Sequence, residues 1–188
     1  MIDPSFHLSL QGKVIAVASD AEHKFSKPMK DQITLIAGYG VEGDAHAGKI
    51  IKHRYLAKNQ PQLPNNRQVH IIAGELFEEV SLAGFEVAAG QLGENVTTEG
   101  LELGRFPLGT LFNLGRSSVV ELTGLRTPCS LIDRFQRGLK RAMIGAKNDR
   151  PRFKCGVLGI VRRGGSISVG DAVRVELPAL PWLDLPAI

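Results

Sequence analysis

Residues 156–177 read GVLGIVRRGGSISVGDAVRVEL, which is the clearest strand pattern in the 188-residue chain. The pairs Gly164-Gly165 and Gly170-Asp171 separate three runs rich in β-branched and apolar residues, and such pairs between strands are typical of tight hairpin turns. In the last run, apolar and charged residues alternate, as they do in a strand with one buried face. The stretch predicts a β-meander at the end of the domain.

Short strand-like runs recur outward from this stretch. They are bounded by polar residues or glycine and occupy residues 13–18, 33–36, 67–72, 110–114 and 118–122. Helical periodicity is found in residues 75–83 and 128–139. Because strands outnumber helices and do not alternate regularly with them, we predict a mainly β fold, an antiparallel barrel or sandwich with a few inserted short helices.

Composition excludes several classes of protein. The chain is 43% hydrophobic and 22% charged, values of an ordinary folded domain, and its 21 glycines indicate many turns. Every apolar run is broken by glycine, proline or charge before it could span a membrane, and the N-terminus lacks a secretory signal. Two cysteines without Cys-x-x-Cys spacing exclude a disulfide scaffold and structural zinc. We therefore expect a soluble, cytoplasmic protein.

The sequence divides into three parts. Residues 13–177 carry the strand and helix signals of the predicted domain, and an N-terminal lead of residues 1–12 precedes them. Residues 49–66 contain no assignable pattern. Three prolines among residues 178–188 exclude a helix or central strand there. The apolar residues of this tail indicate that it packs on the domain's own surface or on a partner, and we favour the first.

Positive charge is concentrated in one segment. Residues 134–154 contain eight Lys or Arg residues and a single acid, Asp149, which gives +7 in a chain whose formal net charge is +4. Such a segment indicates either an anionic partner, for example phosphate or nucleic acid, or simply a solvated basic face.

Cys129 is the most informative single residue. With Thr127 as N-cap and Pro128 at the first helical position, the thiol would lie in the first turn of a helix, near Arg126. Unpaired backbone N–H groups, the helix dipole and a nearby cation lower a thiol pKa and favour the thiolate, which attacks electrophiles or binds soft metals. The alternative is an inert buried cysteine. Cys155 lacks these features, and we predict that it is structural.

A glycine-rich stretch, residues 38–48, provides a second candidate group. Its four glycines allow the backbone to approach a ligand closely, and Asp44 and His46 share one side if the stretch is extended. This pair is an orienting hydrogen-bonded pair, a pair of metal ligands or a simple turn. His70, inside a predicted strand, is a core histidine or a ligand.

A third group lies in residues 90–97, GQLGENVT, where two glycines frame a turn that presents Glu94 and Asn95. Their side chains combine donors and acceptors suited to reading a heterocycle. Asn and Gly also favour loops without any ligand, so both interpretations stay open from the residues alone.

Taken in order, these motifs resemble the MOSC family, the domain found at the C-terminus of molybdenum cofactor sulfurases and as stand-alone proteins. The resemblance spans about residues 13–177, and several motifs in register make it specific. It is carried by GDAHAG at 43–48, RQVH at 67–70, GQLGENVTTEG at 90–100, PLGT at 107–110, LTGLRTPC at 122–129 and VGD at 169–171.

The resemblance implies a β-barrel and makes Cys129 the motif cysteine. In related enzymes that reduce N-hydroxylated compounds, such as the amidoxime-reducing proteins, this cysteine ligates molybdenum held by a pyranopterin. In fused sulfurases, a separate pyridoxal-phosphate desulfurase domain supplies sulfur, and the 188 residues here leave no room for one.

The resemblance and the charge pattern together predict the site. We expect Arg134, Arg137 or their neighbours to hold the phosphate of the pterin while the Cys129 thiolate meets the metal. The other residues predicted at the site are Asn95 and His70, which would orient the pterin or oxo ligands, Asp44 and His46 as a supporting pair, and Arg126 beside the cysteine.

The leading functional hypothesis is a molybdenum-cofactor oxidoreductase that reduces N-hydroxylated bases or related N–O compounds. It implies a small-molecule substrate and an electron-donor protein. The second hypothesis is a sulfur carrier in which Cys129 holds a persulfide received from a desulfurase. The third, a non-enzymatic barrel that binds nucleic acid through the basic segment, ranks last because aromatic residues are nearly absent there. No membrane partner is expected.

Overall fold

A computed structural model describes residues 8–52 and 62–188, so parts of the N-terminal lead and of residues 49–66 lie outside the described residues. The helices are α1 (Glu75–Leu82), α2 (Ser130–Phe135) and α3 (Leu139–Ala142). The strands are β1 (Gln11–Ala18), β2 (Met29–Lys30), β3 (Gln32–Ile36), β4 (Gly40–Val41), β5 (Val69–Ala73), β6 (Val96–Glu99), β7 (Leu111–Leu114), β8 (Ser118–Leu125), β9 (Val157–Arg163), β10 (Gly165–Ser168) and β11 (Ala172–Glu176).

Seven of these strands close into a barrel. The order around it is β1, β6, β5, β9, β8, β7 and β11, and β11 pairs again with β1, with Gly12 opposite Val173. Neighbouring strands are antiparallel except β5 and β6, which run parallel. Closure leaves the barrel strands without free edges. The predicted mainly β barrel with a few short helices is confirmed.

The predicted β-meander of residues 156–177 is wrong, although its three strands form where the pattern places them. β9 pairs with β5 and β8, β10 with β3, and β11 with β7 and β1. The glycine pair explains this departure. Gly165 has a φ of +154°, and a Cβ on Gly164 would lie 2.6 Å from the Leu35 carbonyl oxygen. The pair therefore lets the chain leave the barrel and join a second sheet, ordered β10-β3-β4.

The two predicted helices behave differently. α1 matches its predicted range, and Gly84 follows it with a φ of +86°. The helix predicted over residues 128–139 is instead two short helices, separated at Gly138, whose φ is +92°. The N-cap of α2 is Cys129 rather than Thr127. The Thr127 hydroxyl donates to the Ile188 carbonyl oxygen at 3.2 Å.

Two apolar cores hold the strands and helices together. The first fills the barrel and includes the fully buried Phe112 and Leu122. The second lies between the barrel wall and the helices, where Ile132 and Leu139 of α2 and α3 pack with Cys155. Because α2 is anchored by this second core, the position of Cys129 at its start is fixed by packing.

The proline-rich tail packs on the domain's own surface. Leu185 is buried in the barrel core. The backbone N–H of Leu125 donates to the Pro186 carbonyl oxygen at 2.7 Å, and that of Ile188 donates back to Leu125 at 2.9 Å. The tail therefore runs beside the end of β8 and brings Ile188 next to the start of α2. Within the described residues, no helix combines the length and apolar character needed to cross a membrane.

Candidate functional site

A pocket of about 640 Å³ opens where α2 begins, against the ends of β5 and β8. This volume lies in the range of small-molecule sites, roughly 300–1,000 Å³. Its walls come from segments that are far apart in the chain: residues 23–27, 46–52, 65–70, 93–95, 126–131, Leu158 and Ile188. The fold therefore assembles one site from several of the motifs identified in the sequence.

Most of the predicted site residues meet at this pocket. Asp44 lies directly beneath it, with its Oδ2 atom 3.0 Å from the Asn95 amide nitrogen. The predicted residues that line the pocket are His46, His70, Asn95, Arg126 and Cys129.

The floor of the pocket is a closed network around Asp44. Its Oδ2 atom lies 2.7 Å from Lys27 Nζ, and its Oδ1 atom accepts the His46 backbone N–H at 2.9 Å. His46 Nδ1 lies 3.4 Å from the same Oδ1. Burial alone would raise the pKa of the Asp44 carboxyl, but the hydrogen bonds of His46 and the charge of Lys27 outweigh it and hold that pKa far below its usual range. Asp44 is therefore an ionised anchor.

Lys27 is a pocket residue that the sequence did not reveal. Its side chain is only 4% exposed, and burial lowers the pKa of this lysine although the Asp44 carboxylate opposes the shift. It lies in a polar loop, between Ser26 and Pro28, where a lysine carries no local signal of burial. Only the fold brings it against Asp44.

Asn95 and His70 line the pocket and also hydrogen-bond to the scaffold. The Asn95 side chain accepts the His70 backbone N–H at 3.2 Å and donates to the Ala18 carbonyl oxygen at 3.2 Å as well as to Asp44. His70 Nε2 donates to the Cys155 carbonyl oxygen at 2.7 Å. Burial and then the nearby Arg126 charge hold the pKa of His70 well below its usual value, so the imidazole is neutral. These groups position the walls of the pocket.

Glu94 does not face a ligand. It is 1% exposed, and its carboxylate accepts the backbone N–H groups of Gly90 and Leu92 within its own turn. Burial raises the pKa of this carboxyl, and the turn hydrogen bonds oppose that shift. The turn interpretation of this motif therefore holds for Glu94.

The upper wall of the pocket is cationic. Arg126, Arg67 and Cys129 lie together there. Burial and the like charge of Arg126 lower the pKa of Arg67, and the Cys129 thiol opposes that shift. The Arg126 Nη1 atom is buried and has no hydrogen-bond partner among the described residues. Because an unpaired buried donor costs free energy, this atom marks a position where an anion would be stabilised.

The two cysteines differ in exposure. Both are free thiols, with Cys129 half-buried at the pocket and Cys155 fully buried. Burial, together with the nearby Cys129, raises the pKa of Cys155 to about 11, although Arg126 opposes the shift. Cys155 is therefore a neutral packing residue, and Cys129 is the thiol that a ligand in the pocket can reach.

Arg134 and Arg137 are not brought to the pocket. Both are exposed, and neither is among its lining residues. The physical reason is that α2 is short, ending at Phe135, and directs its polar face to solvent while its apolar face packs on the second core. The arginines that line the pocket are instead Arg67 and Arg126, the second of which was predicted beside Cys129. Arg67 had a sequence signal, since it begins the RQVH motif that leads into the buried strand β5.

The sequence matches the MOSC domain over residues 43–174, which is more than half of the chain. The chain belongs to the MOSC domain family. MOSC domains are associated with proteins of molybdenum-cofactor-related sulfur chemistry. No match is found among curated protein sequences.

Solved structures show the same MOSC fold. The YUAD protein from Bacillus subtilis superimposes with a TM-score of 0.75 and 21% identity, covering 92% of this chain and 100% of that chain. YiiM from Geobacillus stearothermophilus has a TM-score of 0.62 and 17% identity, covering 95% of this chain and 80% of its own. YiiM from Escherichia coli has a TM-score of 0.59 and 17% identity, covering 91% and 73%. At these identities the similarity concerns the fold alone.

Proposed function

We propose that this MOSC domain binds a molybdenum–pyranopterin cofactor in the pocket and reduces N-hydroxylated or related N–O compounds. The observation that carries the proposal is the placement of the Cys129 thiol beside Arg126, whose buried Nη1 atom has no hydrogen-bond partner in residues 8–52 and 62–188. The pocket therefore contains a thiol that can bind a soft metal and a guanidinium N–H that can donate to an anion.

The residues present fit such a cofactor. The pocket of about 640 Å³ is lined by the cations Lys24, Lys27, Lys52, Arg67 and Arg126 and by no acidic residue of the described chain. Among the described residues no group of three or more His, Cys, Asp or Glu could hold a metal ion. In this proposal the Cys129 sulfur is a protein ligand of the metal, and the cofactor supplies further ligands.

Each pocket residue has a distinct task in this proposal. Arg67 and Arg126 hold the phosphate, because a guanidinium donates two parallel hydrogen bonds to phosphate oxygens. Cys129 supplies the thiolate ligand, and the bound cofactor supplies two-electron chemistry at its metal. His46 lines the pocket, with its Nδ1 atom 3.4 Å from Asp44 Oδ1, and would give a proton to the oxygen that leaves the substrate. Reduction of an N–OH group consumes two electrons and two protons and yields N–H and water.

The proposal is tested by metal content. The protein is produced in cells with and without pterin-cofactor synthesis. The molybdenum content of each purified protein is measured by elemental mass spectrometry. We expect molybdenum only from cells that make the cofactor, with loss in Cys129→Ser and retention in Cys155→Ser. Equal, negligible metal from both hosts would overturn the proposal, as would full retention of metal by Cys129→Ser.

One observation supports a second candidate, a sulfur carrier. Cys129 is the accessible thiol of the described chain, and it faces two arginines that would stabilise an anionic persulfide. In this reaction the Cys129 thiolate attacks the outer sulfur of a desulfurase persulfide, and the desulfurase thiolate leaves. The test is incubation with a desulfurase and cysteine followed by mass spectrometry. A gain of one sulfur atom on Cys129 in molybdenum-free protein favours this candidate over the reductase.

A further inference from the structure

The proline-rich tail supplies part of the pocket wall. Its residues 185–188 run beside the end of β8, where Leu125 and Ala187 form a parallel bridge. β9 covers one side of this end of β8, and β7 pairs only with residues 118–121, so the tail occupies the other side. Ile188 thereby lines the pocket. A segment outside the barrel strands thus completes the site.

Backbone hydrogen bonds hold Ile188 at the start of α2. Its carbonyl oxygen accepts both the backbone N–H of Thr127 at 3.1 Å and the Thr127 hydroxyl at 3.2 Å. The Ile188 N–H donates to the Leu125 carbonyl oxygen at 2.9 Å. Leu185, in the same segment, is 6% exposed and packs in the barrel core. Because Thr127 lies two residues before Cys129, these contacts place Ile188 beside the segment that carries the thiol.

Gly124 makes room for the Ile188 side chain on β8. A Cβ at position 124 would lie 2.6 Å from Ile188 Cγ1 and 2.7 Å from the Pro186 carbonyl oxygen. Atoms do not pack at such distances, so the tail can lie this close to β8 only because residue 124 has no side chain. Ile188 is also branched at Cβ, which restricts its rotamers. Its side chain is therefore a stiff part of the wall.

The pocket has an apolar part besides its cations. The apolar residues of its described lining are Phe25, Ile51, Leu131, Leu158 and Ile188. Leu131, which is 41% exposed, follows Cys129 by two residues on α2. Ile188 is half-buried and is bonded to Thr127, two residues before Cys129. These two apolar side chains border the approach to the thiol from opposite ends of the segment 127–131.

We propose that the tail is a specificity element of the site, in which Ile188 limits the size of the apolar group that a substrate can bring to Cys129. The inference rests on the proposed reductase function for the identity of that substrate, an N-hydroxylated or related N–O compound. Compounds with a small substituent on the N–O group pass Ile188, and compounds with a bulky one meet it. In an apolar pocket, a single methylene changes the specificity ratio by about 10–200-fold.

The first test measures the size limit on Cys129 itself, without any cofactor. In the reaction with a maleimide, the Cys129 sulfur bonds to one alkene carbon and the other carbon takes a proton from water. Rates are measured for N-methylmaleimide and N-(1-pyrenyl)maleimide, and peptide mass spectrometry locates the adduct. Each rate is divided by that of the same reagent with N-acetylcysteine. The readout is the pyrenyl-to-methyl ratio, because a changed thiolate fraction alters both rates equally.

Two variants change the size of the wall in opposite directions, Ile188→Ala and Ile188→Phe. The matched control is Leu183→Ala, which shortens an apolar residue of the same tail that is 61% exposed and does not line the pocket. We expect Ile188→Ala to raise the ratio at least about fivefold and Ile188→Phe to lower it by a similar factor. Leu183→Ala should change it less than about twofold.

Three outcomes of this test would overturn the size limit. The first is an unchanged ratio in Ile188→Ala, and the second is an equal shift in Leu183→Ala. The third is a higher ratio in Ile188→Phe, since Ile188 would then attract apolar groups rather than exclude them.

The second test uses the cofactor-loaded protein with dithionite as reductant. Two electrons and two protons convert a hydroxylamine to the amine and water, and kcat/KM is compared for N-methylhydroxylamine and N-(1-naphthyl)hydroxylamine. Ile188→Ala should raise the naphthyl-to-methyl ratio at least about fivefold. An unchanged ratio would overturn Ile188 as a specificity residue. If wild type reduces neither compound, the reductase function fails, and the maleimide ratio still decides the size limit.

Discussion

The pocket and the basic lobe, residues 130–154, are both cationic, but they acquire their charge in opposite ways. All cations of the lobe lie in residues 134–154. The pocket takes Lys27, Arg67 and Arg126 from three distant segments and buries them wholly or partly. The lobe takes its charge from 21 consecutive residues and leaves most of it in solvent. Buried charge must be neutralised by a partner, whereas exposed charge is stabilised by water. The pocket is therefore where charge has structural and chemical consequences.

The difference also explains which of the two charged regions can be recognised from the amino-acid sequence alone. A run of like charges is tolerated only where water separates them, so local charge density marks an exposed face. Cations that converge on one ligand are drawn from separate elements, and each looks ordinary among its neighbours. The predicted phosphate ligands Arg134 and Arg137 belong to the first class, and Arg67 and Arg126 belong to the second.

The largest effect is expected from breaking the charge pair in the pocket floor. Asp44→Asn removes the carboxylate that neutralises Lys27 and orders His46. Loss of one member of a buried pair costs about 3–5 kcal/mol. We expect urea denaturation to show a decrease of that size in the free energy of unfolding.

A matched control for this substitution is Asp133→Asn in the lobe. Asp133 is exposed and, like Asp44, accepts a backbone N–H, that of Lys140 at 3.0 Å. Its loss should cost less than about 1 kcal/mol. If Asp44→Asn were no more harmful than Asp133→Asn, the pocket charges would be as weakly coupled to folding as the lobe charges.

Removing a cation from the pocket wall should change the bound metal content and leave the free energy of unfolding nearly unchanged. Arg126→Met deletes a buried donor that has no partner in the described part of the chain, and it removes a like charge near Arg67. We expect the free energy of unfolding to change by less than about 1 kcal/mol. The molybdenum content of protein from cofactor-producing cells should fall at least about tenfold, since a hydrogen bond to a charged group contributes about 1.5–3 kcal/mol. Unchanged metal content together with a large loss of stability would make Arg126 a structural residue.

The buried His70 should make the stability of the pocket region depend on pH. Its pKa in the folded protein lies well below the ordinary 6.5, so below pH 6.5 the unfolded chain takes up a proton that the folded protein does not. Stability contributed by the neutral imidazole is therefore present above that pH and is lost as pH falls. Between about pH 6.5 and 5 we expect wild type to lose about 1–2 kcal/mol more than His70→Gln, measured by denaturation at each pH. The effects of Asp44 and Glu94 are present in both proteins and cancel in the difference.

Sequence patterns predicted what local chemistry determines. The strand ranges, the α1 helix and the β-barrel class depend on alternation, helical period and glycine turns, and the motif order placed five candidate residues at one pocket. Strand pairing was not predictable in the same way. Residues 156–177 form three strands, yet each pairs with a distant partner, because pairing depends on closure of the whole barrel. Lys27 was missed for the same reason, since its partner Asp44 is adjacent only after folding.

The smallest effect is expected from neutralising the lobe. Arg134 and Arg137 are exposed and form no ion pair with described residues, so their charges contribute only weak mutual repulsion. The double variant Arg134→Gln, Arg137→Gln should change the free energy of unfolding by less than about 0.5 kcal/mol, at low and at high salt alike. A loss above about 1 kcal/mol would instead mean that the lobe charges support α2, and through it the position of Cys129.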